Sequence, residues 1–177
     1  ARRRGLTIGE AGGFALLGRD AGELQFMGYG ETSDAYHMST PHPEGQGARQ
    51  SMLDALERAH VATSEIDYIN LHGTATPAND LMEGRAVHSL FGTDTPCSST
   101  KGVTGHTLGA AGITEAAIAL LSLEHAFIPG SATTREVDPE TQCSVMLECV
   151  PRKLERVMSN SFGFGGSNCS LVFAREG

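Results

Sequence analysis

The residues with the most chemistry in this chain of 177 residues lie between Cys97 and Leu123, in CSSTKGVTGHTLGAAGITEAAIALLSL. Lys101, His106 and four glycines fall between Lys101 and Gly112, and the apolar stretch that follows them to Leu123 holds one carboxylate, Glu115. Glycines let a backbone come close to a ligand, and the free N–H groups at the start of the next helix favour negative charge. Lys101 and His106 would stand at the mouth of such an anion site. A solvated turn accounts for the same letters when this stretch is taken alone.

Several elements must position these groups. From Ile113 to about Phe127 the sequence is apolar nearly all round, which predicts a helix buried between layers rather than lying on a surface. A carboxylate in its first turns needs a partner there. Lys101 can supply it; the alternative is that Glu115 faces solvent near the helix start. Upstream, the β-branched and aromatic run IDYINL, Ile66 to Leu71, predicts a strand that delivers His72 to its C-terminal end, where open α/β sheets place ligands. Asn79 and Asp80 can cap a helix over residues 81 to 91. Ala48, Met52, Ala55, Leu56 and Ala59 recur at helical spacing and predict an amphipathic outer helix.

Further strands are predicted at Phe14 to Leu17, Leu24 to Gly30, Cys97 to Thr100 and Ser144 to Leu147. Arg156 to Asn160 and Cys169 to Ala174 read as a hairpin around NSFGFGGSN. The polar stretch from Glu31 to Gly47, with Pro41 and Pro43, reads as a long loop of the functional or mobile kind. Strands alternating with helices and closing on a strand pair argue an α/β domain with a mixed sheet.

Thirteen basic against 21 acidic residues give a net charge of −8. That balance argues against a nucleic-acid surface and against docking on an anionic membrane. No apolar run reaches the roughly 18 residues needed to span a bilayer. The four cysteines, Cys97, Cys143, Cys149 and Cys169, show no metal-ligand spacing and read as reduced thiols of a cytoplasmic protein. The seven histidines form no HxH or HxxH pair, so no metal site is expected. The start, Ala1-Arg2-Arg3-Arg4, precedes no apolar signal core.

Three segments, taken together, resemble a known family. HGTATPAND (His72 to Asp80), the STKGVTGH and GAAG letters from Ser99 to Gly112, and NSFGFGGSN (Asn160 to Asn168) are similar to the signature segments in the C-terminal half of β-ketoacyl-acyl carrier protein synthases. These are condensing enzymes of the thiolase fold, and the pattern looks closest to the elongating type I/II members. Arg3 to Gly13 is similar to the segment that closes their N-terminal half. Ser33 to Pro41 resembles the mobile loop at their active-site entrance.

The resemblance implies that residues 1–22 end an N-terminal thiolase-like half and that residues 23–177 form the C-terminal domain. It also implies a mixed five-stranded sheet with helices on both faces, stacking on a second half into αβαβα layers. The activity implied is decarboxylative condensation of malonyl-acyl carrier protein with an acyl thioester, in fatty acid, polyketide or polyene assembly. His72 and His106 would donate to the malonyl thioester carbonyl, Lys101 would orient them and pair with Glu115, and the Phe164 backbone N–H would complete an oxyanion hole. Phe162, Phe164, Asp34 and His37 would gate the acyl pocket, and Thr74 and Thr76 would bind the pantetheine arm. On letters alone, the two phenylalanines could plug the core, the two threonines could be ordinary strand formers, and Asp34 and His37 could be exposed loop residues.

The family's nucleophilic cysteine belongs to the other half. Cys97-Ser98-Ser99 imitates its surroundings but precedes the lysine loop, so the nucleophile is expected to be absent from this chain, which alone should be inactive. No tightly bound cofactor is expected; phosphopantetheine arrives on the carrier protein. The partners implied are the N-terminal half, the acyl carrier protein and a second copy in a homodimer. The alternative is a catalytically silent partner of the chain-length-factor kind.

Overall fold

The computed structural model describes residues 5–20 and 22–176. The expectations for Ala1 to Arg4, and for Ala21 in the turn before the first strand, lie outside the described residues. The elements are β1 (Leu24–Ser33), α1 (Gln46–Ala59), β2 (Tyr68–Asn70), α2 (Pro77–Phe91), β3 (Pro96–Ser98), the short α3 (Lys101–Thr104) and α4 (Ala111–His125). They are followed by β4 (Phe127–Ile128), β5 (Ser144–Val145), β6 (Val150–Pro151), β7 (Arg156–Phe162) and β8 (Ser167–Arg175).

The main sheet runs β1-β8-β7-β2-β3-β5. Its β1, β8 and β7 are antiparallel, while β7, β2, β3 and β5 pair in parallel. It therefore has six strands where five were expected, and β4 and β6 form a separate two-stranded ribbon. The central parallel strands β2 and β3 are short and wholly buried, which suits a sheet covered on both faces.

Neighbouring residues along a strand face opposite ways, and the two cores follow that alternation. Ile69, Met158 and Val172 pack with Met52 and Leu56 of α1 and Met82 and Val87 of α2. Tyr68, Val157 and Phe173 face the other side, against Ala116, Ala119 and Leu123 of α4. Helices thus cover both faces. Helix α1 lies directly on β1 because the strand offers glycine beneath it: a methyl group at Gly28 would stand 2.7 Å from the Ala59 nitrogen.

Several expectations are corrected. Phe14 to Leu17 is not a buried strand: Phe14 and Leu16 are fully exposed and Leu17 is 70% exposed. An apolar run signals burial without saying against what, and no strand among the described residues pairs with it. The polar loop starts later than expected, because β1 continues to Ser33 opposite β8. Asn79 and Asp80 do not cap α2; Thr76 occupies the N-cap position and Pro77 opens the first turn, where its missing N–H costs nothing. The burial expected of α4 is met on one side, at Glu115, Ala119 and Leu123, while Leu121 is 45% exposed, so its other apolar side has no cover among the described residues.

Candidate active site

His72 stands two residues beyond β2, and its loop is fixed by a carboxylate. The Glu83 side chain of α2 accepts the His72 N–H and the Gly73 N–H, each at 2.8 Å. Ser99 Oγ donates to the Gly73 carbonyl at 2.8 Å, tying the loop to the strand end next door. His106 follows α3 and is held by backbone: its N–H donates to the Thr7 carbonyl at 2.7 Å, and Gly9 N–H donates to its carbonyl at 3.0 Å.

These two loops bring the rings together. The imidazole centroids are 5.3 Å apart, with the planes at 83°. Lys101 Nζ lies 3.2 Å from His72 Nδ1 and is ion-paired to Glu115, whose other oxygen accepts from Ser161 Oγ at 3.0 Å. The Lys101 and Glu115 residues are 7% and 2% exposed. A buried charge needs such a partner, which is why the carboxylate sits in an otherwise apolar helix.

The hydrogen bonds set both tautomers. An ammonium donating to His72 Nδ1 leaves the ring proton on Nε2. Leu108 N–H donates to His106 Nδ1 at 3.2 Å, with the same result. Burial holds the His72 pKa well below the usual imidazole value, with Lys101 and His106 adding to the effect. Burial and then Lys101 lower His106 in the same sense. Two neutral imidazoles therefore offer two N–H donors. Burial also brings Lys101 down to about 8, opposed by the fields of Glu83 and Asp80. It raises Glu83 to about 7, against the two backbone N–H groups that favour its ionised form.

Both rings face a cavity of about 810 Å³ that Thr74, Thr76, Phe162, Phe164 and Asp34 also line. Phe162 packs on His72 with centroids 5.8 Å apart, while Phe164 is 73% exposed at the hairpin tip. The Thr74 and Thr76 hydroxyls hydrogen-bond each other at 2.9 Å. Asp34 ties the loop after β1 to that tip: its carboxylate accepts from Asn168 Nδ2 at 2.8 Å and from His42 N–H at 2.9 Å, and its own N–H donates to the Gly166 carbonyl. Gly165 N–H closes the latch on the Met38 carbonyl at 2.8 Å.

His37 does not join this group. It is exposed, is not among the residues lining the cavity, and accepts the N–H groups of Ser39 and Thr40 at its own turn. Cys97 is buried in β3 with its thiol bonded to the Ser144 carbonyl at 3.2 Å, and does not line the His72 cavity. Among the described residues, no three His, Cys, Asp or Glu side chains cluster to hold a metal, and no helix is long and apolar enough to cross a membrane.

Sequence reasoning missed Glu83, Ser161 and the strap at Thr7 to Gly9. Glu83 was readable: Asn79, Met82, Glu83, Ala86 and Val87 share one stripe of α2 at spacings of three and four, so a carboxylate there had to be buried.

Two solved structures share this architecture. The ketosynthase ApeO in complex with its chain length factor ApeC, from Xenorhabdus doucetiae, superposes with a TM-score of 0.85 at 46% identity, over 89% of this chain and 40% of that one. The ishigamide ketosynthase/chain length factor superposes at 0.82 with 34% identity, over 86% and 38%. The architecture is thus that of a thiolase-like ketosynthase. More particularly, the chain belongs to the β-ketoacyl synthase family, whose C-terminal domain matches residues 25–135. The 3-oxoacyl-[acyl-carrier-protein] synthase 1 of Escherichia coli strain K12 is 42% identical over 185 residues, covering 99% of this chain and 44% of the relative. The chain spans less than half the length of these relatives.

Proposed function

We propose that this chain supplies the C-terminal portion of a 3-oxoacyl-acyl carrier protein synthase, catalysing decarboxylative condensation of a malonyl thioester with an acyl thioester. Loss of carbon dioxide leaves an enolate, whose oxygen must be met by donors already in place where water is excluded. His72 and His106 are suited to supply them, because both rings face one cavity, are held neutral, and carry their protons on Nε2. That convergence is the observation on which the reading rests.

In this reading Lys101 acts by charge and position, fixing the His72 ring while bound to Glu115. The Phe164 N–H serves the second oxyanion, formed when the enolate attacks the acyl carbon. Phe162, Phe164 and Asp34 form the gate, and Thr74 and Thr76 exchange their mutual hydrogen bond for the pantetheine amides. The acyl-bearing cysteine comes from an N-terminal half, which residues 1–22 close and which covers Leu121 of α4 in a five-layer stack. Phosphopantetheine reaches the site on the carrier protein, in the cytoplasm, and the whole enzyme pairs with a second copy.

A second reading follows from the two solved relatives, each of which joins a ketosynthase to a chain length factor. The chain could belong to the silent member of such a pair. The presence of His72, Lys101 and His106 together favours the active member. The test is malonyl-carrier protein decarboxylation by the intact protein. Activity that falls at least a hundredfold in both His72→Ala and His106→Ala, on the order expected for lost oxyanion donors, supports the first reading. A protein without decarboxylase activity supports the silent partner.

A further inference from the structure

A second cavity, about 350 Å³, meets the site from another side. Among the described residues, Lys101 and Glu83 line it and His72 does not, whereas His72 lines the larger cavity and Lys101 does not. The hydrogen bond between Lys101 Nζ and His72 Nδ1 therefore crosses the wall between the two. Its lining includes the exposed Thr133 and Thr134 and the buried Ser131, Lys101 and Glu83. Hydroxyl and carboxylate side chains of this kind hold water.

The condensation proposed for this site needs such a route, and the inference rests on that reading. When the carboxylate carbon–carbon bond of the malonyl group breaks, its electron pair becomes the enolate and carbon dioxide leaves. The enolate carbon bonds to the acyl carbon, and the carbon–sulfur bond to the enzyme breaks with its pair on sulfur. The thiolate must then take up one proton per turnover. On that reading the pantetheine arm occupies the larger cavity at that moment, so the proton must come from elsewhere.

We propose that the second cavity is the proton inlet of the condensation site, passing protons to Lys101 and from it through His72. Lys101 gives a proton to His72 Nδ1 as His72 Nε2 gives up its own on the substrate side, so the ring ends as the other tautomer and resets by rotation or by exchange. Water in the inlet then recharges Lys101. A lysine brought to about 8 by burial is a ready donor near neutrality. Glu83 shares the wall with Asp80, Glu136 and Asp138, and His106 borders both cavities.

The test compares two half-reactions in the intact protein. Acylation of the nucleophilic thiol by acyl-carrier protein exchanges one thiol proton for another and needs no inlet; condensation with malonyl-carrier protein consumes one proton. Thr133→Trp and Thr134→Phe place bulk at exposed positions on the inlet wall. The expected result is a fall of roughly tenfold or more in single-turnover condensation, with acylation changed by less than about twofold, within the range of proton-transfer effects. Indicator-detected proton uptake should slow in parallel. Unchanged condensation in both variants, or equal losses in the two half-reactions, would overturn the inlet. Condensation by the parent protein decides the underlying function separately.

Discussion

His72 is held by side chains: Glu83 grips its loop and Lys101 fixes its ring. His106 is held by backbone, through Thr7 and Gly9 on the N-terminal strap and Leu108 N–H on the ring. One loop is therefore locked by buried charge and the other by a strand-like bridge to a segment whose next apolar residues stand in the open. Two neighbouring rings thus depend on different supports, one of side chains and one of backbone, and each support can be weakened by its own substitution.

The largest effect should come where the two regions join. Lys101→Ala strips the ammonium from Glu115, which is 2% exposed and keeps the Ser161 hydroxyl as a donor, and breaking one side of a buried pair costs about 3–5 kcal/mol. Denaturant unfolding of the intact protein measures it. The double replacement Lys101→Met with Glu115→Leu should recover most of the loss, because it removes both charges. A double variant as unstable as Lys101→Ala would show that packing, not charge, dominates.

Glu83→Ala should come next, at about 2–3 kcal/mol, since it strands two loop N–H groups that had a carboxyl acceptor. Amide exchange should accelerate at His72 and Gly73 while protection at His106 is kept. Smaller still, at about 1–2 kcal/mol, is Gly9→Ala, whose methyl would collide with the Thr104 carbonyl and press on the Gly105 Cα at 3.0 Å. Its mark should be the reverse: the His106 ring resonances shift and those of His72 stay. Equal shifts in both rings would mean that the supports are coupled.

The same contrast separates what could be read in the sequence from what could not. Helices α1 and α4, the hairpin around Phe164 and the Lys101–Glu115 pair were legible because each rests on local periodicity or on a charge that burial obliges to pair. Asn79 and Asp80 misled because a capping residue and a first-turn residue have the same composition; Pro77 was the better signal. His37 was named as a gate by the resemblance of its loop, and no local signal told that its ring would accept the N–H groups of its own turn. Phe14 to Leu17 failed for a different reason, since a strand is defined by its neighbour. The strap that holds His106 was invisible because backbone-to-backbone bonds leave no mark on side-chain identity.

The finest distinction between the supports lies in their response to pH. Glu83 is raised from 4.5 to about 7, so the folded protein binds the extra proton between those values and this group's contribution to stability falls as pH rises through them. His72 is lowered from 6.5, so the unfolded chain binds the extra proton below that value and its contribution falls as pH drops. Between 4.5 and 6.5 the Glu83 slope opposes the slopes of His72 and His106, so the parent protein should rise with pH less steeply than the two histidines alone would make it. Glu83→Gln deletes the opposing slope, so stability measured across that window should climb more steeply with pH than in the parent, whatever the absolute loss. His106→Gln should leave that difference nearly intact, because His106 is not among the groups that shift Glu83. A Glu83→Gln profile parallel to the parent would mean that the carboxyl grips the His72 loop without holding a proton of its own.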